Sequence, residues 1–206
     1  MQNMILWHIP RTGTTSLRHA AYEAGIKELR DTAWSADAGC LQTYHHMTPS
    51  DVLVLGLATV DQIRNTPSVL MVRNTWERLV SLYHLFHQRG GPGLRAIAAK
   101  FGPDFESYLD WCMYGVREVS RHEANYQCRP QIEWLRSLSL TCHIVQHPNV
   151  PMAWDSICRH FGTKGELPLH NSSSHRPYQT YYTKEYRDKV ADHYHKEIER
   201  FGFTFD

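Results

Sequence analysis

No apolar run in this chain is long enough to cross a bilayer, and the first one is too short for a secretory leader. A turn motif already begins by residue 10, so the expectation is a soluble, cytoplasmic protein without a signal peptide. An excess of charge of one sign is missing too: 22 Lys plus Arg face 21 Asp plus Glu, a formal net charge of +1 over 206 residues. That balance excludes whole-molecule attraction to nucleic acid or to an anionic membrane, so any anion site must be local. Paired cysteine motifs are absent. Cys40, Cys112, Cys128, Cys142 and Cys158 are widely spaced, odd in number and contain no C-x-x-C, which argues for reduced, mostly buried thiols and against a disulfide framework or zinc knuckle. Internal repeats, low-complexity tracts and linkers are lacking, and the length suits one sizeable core, so residues 1–206 are read as a single domain. Histidine is plentiful, 14 in all, and net charge should climb as pH falls below about 6.5.

The stretch from Met4 to Leu17 is the organising centre. Ile5, Leu6, Trp7 and Ile9 form a nearly continuous apolar run, as expected of a strand buried on both faces of a parallel sheet. Pro10 stops the ladder and Gly13 permits a tight turn. The amides of Thr14, Thr15 and Ser16 then open a helix, where unpaired N–H groups and the helix dipole favour an anion such as phosphate. The nucleotide-binding loop G-x-x-x-x-G-K-[ST] is not present, since both its first Gly and its Gly-Lys pair are missing. Arg11 stands before the turn instead.

The first helix is expected over Thr14 to Ala24, with Leu17, Ala20, Ala21 and Ala24 on one face and Gly25 as its stop. Ile26 to Leu29 suits a short strand, Asp31 to Thr43 a loop, and Thr48 to about Leu57 a helix with Pro in its first turn. Ser68 to Val72 is a second continuous apolar run, read as a central parallel strand ending at Arg73, and ligands gather at such carboxyl ends in open α/β sheets. Asn74 and Glu77 make a capping-box pair for a helix whose core face is Trp76, Leu79, Val80, Tyr83 and Phe86, with Arg78 and Ser81 off that stripe. Gln88 to Gly93 is a loop by composition. Helices follow over Leu94 to Phe101 and Asp104 to Tyr114, an irregular stretch over Arg117 to Arg129, and a helix start over Pro130 to Ser137. Thr141 to Val145 reads as a last strand and Met152 to Phe161 as a helix. Glu166 to Tyr182 reads as an active-site loop, before one final helix capped by Thr183, with Tyr186, Val190, Tyr194 and Ile198 inward and Gly202 as its end. Glu185 with Lys189 and Asp192 with Lys196 are i,i+4 pairs on its wet face.

Three blocks stand out together: Pro10 to Leu17, Val72 to Tyr83, and Asn171 to Phe203. They resemble the sulfotransferases, particularly the carbohydrate-type branch, with the sharpest likeness in the first two blocks. The resemblance implies a three-layer α/β, P-loop-like fold with a central parallel sheet flanked by helices. It also implies 3′-phosphoadenosine 5′-phosphosulfate (PAPS) as sulfuryl donor and a hydroxyl acceptor, more readily a sugar or glycoconjugate than a small phenol. In that family the first block binds the 5′-phosphosulfate, here Arg11, Thr12, Gly13, Thr14, Thr15 and Ser16. The second binds the 3′-phosphate through an Arg and a Ser, here Arg73 and Ser81. Arg176 and Tyr178 would be lids over the adenine or 3′-phosphate, near Ser172 and Ser174. Two departures exist: the usual Lys of the first block is Arg11, which keeps the charge and adds a planar fork of donors, and the usual Pro after the Arg-Asn pair is Thr75, expected only to lose a pre-set φ.

Sulfuryl transfer needs donors at a leaving phosphate and a base at the attacking hydroxyl. Arg11, Thr14 and Thr15 are assigned to the leaving group. His46 is the preferred base, His45 its unexcluded neighbour and Glu23 a weaker candidate that would need burial to raise its pKa. His84 with His87, His143 with His147 and His193 with His195 lack accompanying carboxylate or Cys ligands at a recognised spacing, so no metal is expected. Two other readings compete: a nucleotide or small-molecule kinase with a degenerate phosphate loop, and a non-catalytic nucleotide-binding module.

Overall fold

The computed structural model describes residues 3–28, 46–54, 56–88, 98–115, 127–135, 142–168 and 175–206. The chain gathers into two compact units, one from Met1–Val72 with Glu133–Ser172, the other from Arg73–Ile132 with Ser173–Asp206. His45, Cys40, Ser172, Ser174, the loop expected at Asp31 to Thr43 and most of those expected at Gln88 to Gly93 and Arg117 to Arg129 lie outside the described residues.

The first unit is α/β. Strands β1 (Asn3–Trp7), β2 (Lys27–Glu28), β3 (Ser68–Val72) and β4 (Cys142–Gln146) form a parallel sheet in the order β2-β1-β3-β4. Continuous apolar runs make β1 and β3 the inner strands, because both of their faces lose water. Met4, Leu6, Val69 and Met71 pack against Leu17, Ala20 and Ala21 of α1 (Thr14–Glu23) and Val150, Trp154 and Ile157 of the last helix of the unit, Val150–Phe161. On the alternate face Ile5, Trp7, Leu70 and Val72 are equally buried. β1 ends at Trp7, which pairs with Leu70, instead of reaching Ile9. β4 is an edge strand with His143, Ile144 and Gln146 exposed, in keeping with its mixed composition.

Among the described residues, two short helices lie between β2 and β3. α2 (Pro49–Val54) is shorter than expected and begins where the Asp51 carboxylate accepts from Thr48 N at 2.9 Å and Thr48 Oγ1 at 2.7 Å. α3 (Val60–Asn65) was not anticipated by hydrophobic spacing, as only Ile63 of it is buried. Its signal is local: Thr59 and Gln62 form a reciprocal capping box, 2.8 and 3.1 Å, which satisfies two of the free amides at the helix start.

The second unit is helical: α4 (Thr75–Gln88), α5 (Phe105–Tyr114), the 3₁₀ turn Tyr178–Tyr181, α7 (Lys184–His193) and α8 (His195–Phe201), the first unit's Val150–Phe161 being α6. Its core is aromatic, built on Trp76, Phe86, Phe101, Tyr108 and Tyr194 with Leu79, Leu82 and Val190. The single final helix expected from the Tyr186–Val190–Tyr194–Ile198 stripe is two helices hinged at Tyr194 (φ −101°, ψ 17°). Tyr194 is buried there and its hydroxyl donates to Cys128 O at 2.9 Å. Glu185 and Lys189 form the expected i,i+4 pair at 2.8 Å.

Arg78 and Ser81, although off the apolar stripe of α4, are both 0% exposed. Arg78 is tolerated inside because its guanidinium donates to three successive carbonyls, Gln127 O (3.2 Å), Cys128 O (3.5 Å) and Arg129 O (2.7 Å). The carboxylate of Glu197, also fully buried, accepts from Thr75 Oγ1 at 2.6 Å, Gln131 Nε2 at 3.1 Å and Gln131 N. Thr75 therefore does more than forgo the φ of a proline, for its hydroxyl helps hold a buried carboxylate. Truncating Arg78 to Ala should orphan those carbonyls and the nearby carboxylate at a cost of about 3 kcal/mol, read as a lower urea midpoint. A loss below about 1 kcal/mol would show that the guanidinium is not structural.

Burial lifts the Glu197 carboxyl above its ordinary value of 4.5, against the lowering influence of Arg78, Thr75 and Gln131. Above 4.5 the unfolded chain has released a proton that the folded chain keeps, so this group's contribution makes stability fall as pH rises through the window up to the raised pKa. Below 4.5 both states are protonated and the contribution is level. Glu197→Gln, which cannot titrate, should lack that downward slope in urea midpoints measured across the window. Equal slopes in both proteins would contradict the raised value.

Candidate active site at the carboxyl ends of β1 and β3

β1 lies between β2 and β3 in the sheet, so the connection leaving β1 runs to one side and the strand added later lies on the other. The crevice outside the carboxyl ends of β1 and β3 is thus a topological switch point, where open α/β sheets hold their ligands. The turn after β1 occupies it. Arg11 has φ 67° and Gly13 φ 91°, two left-handed residues that reverse the chain within a few positions. For Arg11 this backbone costs about 1 kcal/mol, and such strain concentrates at functional sites.

Each residue of the turn has a distinct task. Thr12 is fully buried and its hydroxyl donates to Ile9 O at 2.9 Å, so it staples the turn. Gly13 is the N-cap of α1, a residue with no side chain of its own to cap the helix start, and no acidic residue lies in its first turn. Ser16 N donates to Gly13 O at 3.2 Å. Thr14 and Ser16 are buried, while Arg11, Gly13 and Thr15 are half-buried. A helix start of this kind presents amides and a positive dipole end to an anion.

A Cβ built on Gly13 would lie 3.2 Å from Val150 Cγ2, 3.3 Å from His147 Cδ2 and 3.5 Å from Met71 Cε. The turn therefore packs directly against the start of α6 and the end of β3. His147 N donates to Val72 O at 2.7 Å, which pins the His147 ring beside the turn. Sequence spacing treated His147 only as a rejected metal ligand, although its position immediately after β4 marks it by the same carboxyl-end rule that picked out Arg73.

His46 reaches the same end of the sheet, its Nδ1 lying 3.1 Å from His8 O. A carbonyl oxygen only accepts, so in the neutral ring this contact assigns the proton to Nδ1 and makes Nε2 the basic nitrogen of the ring. Arg11, the amides opening α1, His46 and His147 are all held within the first unit. Glu23, at the far end of α1, is exposed and lies ten residues after Gly13.

Arg73, Ser81, Arg176 and Tyr178 belong to the second unit. The Arg73 guanidinium bonds Glu77 at 2.8 Å, and its main chain is clasped by Gln131, whose Oε1 accepts from Arg73 N at 2.9 Å while Nε2 donates to Arg73 O at 2.7 Å. Asn74 Oδ1 accepts from Glu77 N at 3.3 Å, one half of the expected capping box, and the Glu77 side chain turns to Arg73. The Ser81 side chain is wholly enclosed by the core. Tyr178 donates to Asp206 O at 3.2 Å and packs edge-on to Phe205 at 5.6 Å, while the Arg176 guanidinium lies 5.2 Å over the Tyr181 ring. His84 bonds the Tyr181 hydroxyl at 2.7 Å and stacks on His175 at 5.4 Å. Burial, then the neighbouring His175, His87 and Arg176, hold its pKa below the ordinary imidazole value.

Together these features define an α/β protein with a strained, glycine-dependent turn and a helix start at its switch point. Comparison of the chain with protein-family models, curated proteins and solved structures finds no match. Replacing Gly13 by Ala should strain a backbone at φ 91° and press on His147 and Val150, at a cost of about 2 kcal/mol in urea unfolding. An unchanged midpoint would mean that the turn relaxes and is not held as described.

Proposed function

We propose that the chain is a sulfotransferase that moves the sulfuryl group of PAPS to a hydroxyl of a sugar or glycoconjugate, on a P-loop-like version of the α/β fold. The observation that supports this reading is the strained Arg11–Gly13 turn feeding a helix start, with His46 held at the same strand end. The donor, when bound, supplies the activated sulfur and the leaving phosphate. The amides of Thr14 and Thr15 and the Arg11 guanidinium receive the negative charge that grows on that phosphate as its bond to sulfur breaks. His46 Nε2 takes the proton of the attacking acceptor hydroxyl. The His147 ring is a further donor for the phosphate side of the turn. The resemblance would give Arg73 and Ser81 to the 3′-phosphate, and Arg176 and Tyr178 to the nucleotide.

In a thermal-shift series 3′-phosphoadenosine 5′-phosphate should raise the melting temperature, and ATP with Mg²⁺ should not. Arg11→Ala should abolish most of that shift. His46→Ala should keep the shift yet lower transfer of labelled sulfate to a glycan acceptor by about 10²-fold or more. Stabilisation by ATP with Mg²⁺ alone would favour a kinase. Nucleotide binding without transfer to any member of a broad glycan and metabolite panel would favour a binding module.

A further inference from the structure

Cys112 and Cys128 are chemistry that the nucleotide reading leaves unused. Cys112 lies on the inner side of α5 and Cys128 in the turn that precedes Gln131, both within the second unit. Their Sγ atoms are 3.0 Å apart. Non-bonded heavy atoms settle at roughly 3.5–4.0 Å, and a formed S–S bond is about 2.05 Å, so the two sulfurs already sit inside ordinary contact. Both residues are buried, Cys112 at 6% and Cys128 at 1% exposure, among Leu79, Leu82, Tyr108 and Tyr194. Tyr108 Oη is 3.9 Å from Cys128 Sγ and donates to Leu79 O at 3.1 Å.

We propose that Cys112 and Cys128 are a reversible disulfide site, closed by a peroxide and reopened by a dithiol. In the closing reaction the peroxide O–O bond breaks and the Cys112 sulfur takes one oxygen as a sulfenic acid while one water leaves. The Cys128 sulfur then displaces that oxygen, the S–S bond forms and a second water leaves. Two thiol protons and two electrons have passed to the peroxide, which is reduced to water. Desolvation, ahead of the contact with Cys128, holds the Cys112 thiol well above its ordinary value, so at neutral pH it rests as a thiol and reacts only on oxidative challenge. Cys128 O accepts from Tyr194 and Arg78, and its neighbours Gln127 O and Arg129 O hold the same guanidinium. Closing the pair therefore locks α5 to the turn that anchors Arg78.

The full chain, purified under reductant and exposed to hydrogen peroxide, is unfolded in denaturant, alkylated and mapped by mass spectrometry. The Cys112 and Cys128 peptides should appear joined, two hydrogens lighter than their sum, at a yield independent of protein concentration and reversed by dithiothreitol. The same treatment of protein already unfolded in urea should lower the yield of that pair by about tenfold, because the fold and not chance supplies the encounter. Oxidised wild type should also melt about 5 °C above reduced wild type, a difference absent from Cys128→Ser. Full alkylation of both thiols after peroxide, pairing with a different cysteine, or equal yields from folded and unfolded protein would overturn the proposal.

Discussion

The first unit depends on how closely one turn approaches the ends of two strands. Met71, His147 and Val150 stand within 3.5 Å of where a Cβ of Gly13 would be, so a glycine lets the chain leave β1, reverse at φ 91° and start α1 there without displacing them. The short approach has two consequences. It places the opening amides of α1 over the carboxyl ends of the inner strands, and it brings the His147 ring against the turn. The apolar sheet supplies the rigidity on which this depends, since Met4, Leu6, Val69 and Met71 are clamped by α1 and α6. Strain at Arg11 persists because the surrounding packing leaves the turn no alternative.

The second unit is organised by polar groups that have been taken out of water. Arg78 and Glu197 are fully buried, and each is matched by hydrogen bonds: carbonyls of 127–129 for the guanidinium, Thr75 and Gln131 for the carboxylate. Gln131 also clasps both main-chain groups of Arg73. Removing one partner leaves the other desolvated, which is why such networks specify one arrangement more than they add net stability. An aromatic core built on Trp76, Phe86, Phe101, Tyr108 and Tyr194 belongs to the same unit.

Much of the first unit was legible because its signals are local and redundant. Continuous apolar runs marked β1 and β3, and glycines marked the turn and the end of α1. The misses have a common cause. Arg78 and Ser81 fall off the apolar stripe of α4, and nothing in spacing reveals that carbonyls about fifty residues away receive the buried guanidinium. The break at Tyr194 followed from a buried hydroxyl bond that a continuous apolar stripe conceals. α3 escaped because it buries one residue, although Thr59 and Gln62 announced its start. His147 was seen as one of a pair of histidines and not as the residue after a strand. Thr75 was read for its backbone alone, while its hydroxyl is what the buried carboxylate uses.

The central claim is that the turn from Arg11 to Ser16 receives the anionic end of a nucleotide. Backbone amide NMR of the isotopically labelled chain, titrated with 3′-phosphoadenosine 5′-phosphate and separately with adenosine, tests it most directly. The amides of Gly13, Thr14, Thr15 and Ser16 should move saturably with the bisphosphate and stay in place with the nucleoside. Saturable binding that shifts amides elsewhere and leaves those four unmoved would contradict it.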